Sequence, residues 1–77
     1  MRTYRYTIIL HPEPEEGGYS VTVPMLPGCL TQGETVEECI ERAKEAIALH
    51  IEALIETGHP VPEEPEGFRA VVVEVDV

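Results

Sequence analysis

Two cysteines, three histidines and fifteen carboxylates are the side chains in this 77-residue chain that could carry chemistry. A thiolate nucleophile needs a nearby histidine or a helix N-terminus to lower its pKa. Cys29 follows Gly28 in a turn-like stretch with no paired histidine in sight, and Cys39 falls on an apolar stripe. Both are therefore expected to be small buried core residues. His11 and His59 precede prolines, His50 lies beside the same stripe, and none has the spacing of a zinc set. Metal-assisted hydrolysis needs several carboxylates converging from strands. Only Glu74 and Asp76 sit in a strand-like pattern, and one strand is not a site. The expectation is no catalytic residue, no metal and no cofactor.

The remaining acids set the field. Fifteen Asp and Glu against five Lys and Arg give a formal net charge of −10. Arg2, Arg5, Arg42, Lys44 and Arg69 are scattered, whereas proteins that grip phosphate backbones cluster their cations. Such a surface repels nucleic acid and attracts a basic protein. The plainer alternative is that excess glutamate only keeps a small domain soluble.

The elements that would position these side chains are legible from period and punctuation. In residues 3–11, Tyr4, Tyr6, Ile8 and Leu10 alternate with Thr3, Arg5, Thr7 and Ile9, the pattern of a strand. "HPEPEEGG" reads as an exposed hairpin loop and "YSVTV" as a second, antiparallel strand closed by Pro24. "GCLTQGE" reads as a short third strand. From Thr35 the period changes to three and four: Cys39, Ile40, Ala43, Ala46, Ile47, Ile51 and Leu54 share one face. Thr35 and Glu38 form a capping box, Gly58 suits a left-handed cap and Pro60 blocks continuation, so a helix is expected from Val36 to about Thr57. "HPVPEEPEG" is a stiff connection, and "FRAVVVEVDV" places Val71, Val73, Val75 and Val77 on one face of a fourth strand. The expected fold is a two-layer α+β domain, β-β-β-α-β, with one long helix over a small antiparallel-rich sheet.

A single domain over residues 1–77 buries only about 60% of the surface its unfolded chain exposes. With no disulfide framework or zinc, support is expected from a partner or from self-assembly as a dimer or tetramer, the valine-rich last strand pairing or packing across a two-fold axis. Two unpaired cysteines without a signal peptide suggest a reducing, cytoplasmic setting, and no apolar run is long enough to span a membrane.

Between strand two and the helix, Pro24 ends a strand, Pro27-Gly28 turns the chain and Thr35 starts the helix. Met25 and Leu26 lie between the prolines, either tucked under the sheet or exposed as a binding surface.

These residues also carry a resemblance. The run "GGYSVTVPMLPGCLTQGETVEECIERAKEAI" and the later "HIEALIETGHPVPEEP" resemble the HicB family of antitoxins almost end to end. The matching elements are Tyr19, Val21 and Val23 before Pro24, then Leu26-Pro27-Gly28-Cys29, Thr31, Gly33, Thr35, Glu37-Glu38, the helix segment Ala43 to Ile47, and Pro60-Val61-Pro62. The resemblance implies a truncated ribonuclease H-like fold that neutralises a HicA toxin, a small basic ribonuclease that cuts messenger RNA. Partner-binding residues are then expected at Pro24, Met25, Leu26 and Pro27 and at the acids Glu37 and Glu41. The family often has an acid where this chain has Met25, so contact there would be apolar. Many members add a C-terminal DNA-binding domain. This sequence stops at Val77, so no separate DNA-binding domain, and no direct DNA binding without one, is expected of it. Rival readings are an orphan protein-interaction or self-assembly domain and a metal-dependent ribonuclease built on Glu74 and Asp76.

Overall fold

The computed structural model describes residues 2–77. Strands β1 (Ile9–Pro12), β2 (Tyr19–Thr22) and β3 (Leu30–Gly33) form one antiparallel sheet in the order β1-β2-β3, and helix α1 (Val36–Glu56) lies across it. The α+β class with a small sheet under one long helix is as expected.

The faces follow the sequence alternation. Ile8 and Leu10 from the β1 segment and Tyr19 and Val21 from β2 pack with Cys39, Ala43 and Ile47 of the helix. A second cluster joins Val23, Leu26 and Cys29 to Tyr6, Ile8, Ala46, Ile47 and Leu54. Both cysteines are free and buried, as their positions suggested. At the end of β3 the backbone meets the helix so closely that a Cβ on Gly33 would stand 2.9 Å from both the amide nitrogen and the Sγ of Cys39. Only glycine fits there without moving the helix.

The helix ends behave as the sequence required. Thr35 accepts a hydrogen bond from the Glu38 amide through its hydroxyl at 3.1 Å. The Glu38 carboxylate reaches back to the Glu34 amide at 3.0 Å, one residue before the cap. At the other end Gly58 (φ 74°) donates to the Ile55 carbonyl and His59 donates to the Leu54 carbonyl, satisfying the last turn through a left-handed residue.

Three expectations need correction. The first strand was expected over residues 3–11, but the ladder begins at Ile9. The register explains why: Ile9 pairs with Thr22, so Thr7 falls opposite Pro24, where the chain has turned away and no N–H is available. Residues 2–8 thus overrun the strand they would pair with. His11, read both as the end of that strand and as the first residue of the loop, lies in β1 with Nε2 3.0 Å from the Thr22 hydroxyl. The strand continues through Pro12 because an edge strand needs no outward donor. The fourth strand is absent from the sheet, since residues 68–77 have no ladder partner and lie exposed. The stretch before them accounts for this. Pro62 accepts from the Tyr6 hydroxyl, Glu64 accepts from the Thr7 amide and hydroxyl at 2.6 and 2.8 Å, and Glu63 pairs with Arg2. This strap holds the flank of the first segment, and the Pro65–Phe68 turn then leads the chain off.

Candidate interaction surface

The turn after β2 is built from the inside out. The Leu26 amide donates to the Val23 carbonyl and the Cys29 amide to the Leu26 carbonyl, both at 3.0 Å, giving two consecutive tight turns. Their three inward residues, Val23, Leu26 and Cys29, are each no more than 4% exposed. Leu26 at 1% is core, so the choice between tucked and exposed resolves to tucked for this side chain. Its contribution to a surface is to fix the outward face. That face is Pro24 and Pro27, both exposed, with Met25 half-buried beside them. Two prolines on a turn anchored by a buried leucine make a stiff platform, which loses little entropy on contact.

Glu37 and Glu41 are exposed on the first two turns of the helix, and Glu41 lies 3.5 Å from Lys44. They do not join the proline platform. Its anchor packs at the level of Ala46, Ile47 and Leu54, and even Ala46 is about 7 to 14 Å further along the axis. The expected residues therefore make two patches.

A third feature was not visible in the sequence. Glu13 and Glu16 from the β1-β2 loop meet Glu34 and Glu38 from the helix start around a cleft of about 340 Å³, with Arg42 on its wall and Tyr19 and Ser20 contributing from β2. The four acids come from segments some twenty residues apart, and only the strand register brings them together. Sequence showed acid-rich segments, but not that they share a rim. With four carboxylates against one guanidinium, the rim of the cleft is net negative.

Both thiols are free and buried. Burial pushes the Cys29 thiol above its ordinary pKa. Burial, reinforced by the Glu38 carboxylate, does the same for Cys39. Among the described residues no group of three or more His, Cys, Asp or Glu side chains is placed to hold a metal ion. Glu74 and Asp76 lie on the exposed last segment. Among the described residues, too, no helix is long and apolar enough to cross a membrane.

Comparison with known proteins connects the chain to a family. Residues 6–76 match the family model described as the HicB_like antitoxin of bacterial toxin-antitoxin system. The chain belongs to the HicB-like antitoxin family. A UPF0150 protein of Synechocystis is 51% identical over 61 residues, covering 79% of this chain and 76% of the relative. A UPF0150 protein of Thermoplasma acidophilum is 45% identical over 58 residues, 75% of this chain and 83% of the relative. Antitoxin HicB of Escherichia coli K12 is 43% identical over 58 residues, 75% of this chain but 41% of the relative. The HicB-like match contains the proline platform, the acidic cleft and nearly all of the valine-rich segment, so all three lie within the family's own domain.

Proposed function

We propose that this HicB-like chain is a non-enzymatic antitoxin that binds and neutralises a small, basic, messenger-RNA-cleaving toxin of the HicA type. The observation that carries the reading is the acidic cleft of Glu13, Glu16, Glu34 and Glu38 on a chain of net charge −10. A ribonuclease that binds RNA presents cations, and those cations are what an acidic, preformed concavity attracts and covers. Glu37 and Glu41 extend the negative field along the helix, while Pro24, Met25 and Pro27 supply an apolar contact that does not depend on charge. Inhibition follows from occupying the face that RNA would use. Membership of an antitoxin family supports this.

The test is calorimetry of the purified chain with a small basic toxin encoded beside it, at low and high salt, with RNA cleavage measured in parallel. Tight binding that weakens with salt, together with loss of cleavage at a one-to-one ratio, is the expected result. Absence of binding at both salt concentrations, or cleavage unaffected by excess protein, overturns the reading.

A further inference from the structure

The sheet has two edges, and the chain treats them differently. A strand edge presents unpaired N–H and C=O groups that can pair with another chain, and proteins blunt it with proline, charge or cover. The β1 edge is blunted twice. Pro12 sits in the strand itself, and the Pro62–Glu64 strap holds the segment before it, where Glu64 accepts from the Thr7 amide and hydroxyl. The β3 edge has neither device. Its residues, Leu30, Thr31, Gln32 and Gly33, include no proline and no charge, and among the described residues β3 pairs with β2 alone. Leu30 is 66% exposed, and Gln32 is exposed as well.

The groups on that open edge follow from one close approach. A Cβ on Gly18, next to β2, would stand 2.6 Å from the Gly33 carbonyl oxygen, so this carbonyl faces β2. In an antiparallel pair, residues that bond to the partner alternate with residues that do not. Gly33 and Thr31 therefore bond to β2, and Leu30 and Gln32 offer their N–H and C=O groups to the open side. The same strand runs into the acidic cleft, whose lining includes Gln32 and Gly33 beside Glu13, Glu16, Glu34 and Glu38. Among the described residues none of these four acids is in an ion pair.

We propose that the basic toxin of the antitoxin reading, on which this inference rests, docks by adding an extended segment to the β3 edge, with a lysine or arginine of that segment held in the acidic cleft. Leu30 and Gln32 then gain main-chain hydrogen bonds, and the cleft selects the charge of what is added. The edge is about 13 Å long, so a segment of about four or five residues spans it. A residue of the segment set opposite Gly33 shares the face that Gly33 turns toward Cys39, the side on which Glu38 stands in the first turn of the helix. An apolar residue nearer the other end meets Leu30. Charge decides the occupant. A second copy brings the same four carboxylates and a net charge of −10 to the cleft, whereas a basic segment brings the opposite sign.

The experiment is amide exchange on the full chain with and without the small basic toxin encoded beside it, joined to calorimetry at low and high salt. The Leu30 and Gln32 amides are expected to exchange more slowly in the complex, while those of Thr31 and Gly33, already bonded to β2, change less. Gln32→Pro removes an outward N–H and no bond to β2, and is expected to weaken toxin binding by about tenfold while far-ultraviolet circular dichroism stays unchanged. Glu13→Gln with Glu16→Gln, both at exposed positions, is expected to lower the affinity and flatten its salt dependence. Toxin binding that leaves the Leu30 and Gln32 amides exchanging as in the free chain, or whose salt dependence ignores the glutamine changes, overturns this inference and leaves the antitoxin reading standing. No binding at either salt overturns both. Protection of the same two amides that rises with the concentration of the chain alone overturns it too, and assigns the edge to a second copy.

Discussion

The turn from Val23 to Cys29 and the segment from Arg69 to Val77 are both rich in apolar residues, yet the first buries Val23, Leu26 and Cys29 while the second leaves every valine exposed. Their compositions do not explain the difference. The turn closes over a partner within reach, because tight turns place Val23, Leu26 and Cys29 together against Ala46, Ile47 and Leu54. The last segment alternates well, but the neighbouring flank is taken by the strap, and the turn at Pro65 leads away from the sheet. Apolar pattern says which face wants cover, and local geometry decides whether the same chain provides it.

Three substitutions would break or sharpen that contrast. The largest effect belongs to the buried turn: Leu26→Ala should cost about 2 to 5 kcal/mol, as truncations of buried leucines do, read as a fall in the urea midpoint. Next is the contact between β3 and the helix, where Gly33→Ala forces a Cβ to within 2.9 Å of Cys39. Overpacking of this kind should cost about 1 to 3 kcal/mol, seen as a lower thermal midpoint. An unchanged midpoint would mean that the helix shifts freely. The smallest effect is expected in the last segment. Val73→Ser, measured at a concentration too low for assembly, should change stability by no more than about 0.5 kcal/mol, because an exposed side chain has no burial to lose. A large loss there would show that the segment packs within its own chain.

Most of the fold was legible because it depends on local rules. The three-and-four period located Cys39, Ala43 and Ile51 in the core, and Thr35 and Gly58 marked the helix ends to within a residue. What could not be read depends on where one strand stops relative to another. The ladder fails before Ile9 because the neighbouring strand has ended by Pro24, a residue of the turn that follows it. The acidic cleft needs the β1-β2 loop beside the helix start, a juxtaposition that spacing along the chain does not encode. Met25 and Leu26 are neighbours of similar apolar character, and only the turn hydrogen bonds decide that the second points inward.

The two buried thiols have a practical consequence. Each hydrophobic cluster contains one cysteine, Cys39 on the buried face of the helix and Cys29 at the buried end of the proline turn. Neither can react with an alkylating reagent until its own cluster opens. Their separate labelling rates are therefore two clocks in one molecule, one timing the departure of the helix from the sheet and the other the release of the turn. If the clocks run together, the domain opens as a single unit. If Cys29 runs ahead, the proline platform can loosen while the sheet and helix stay joined.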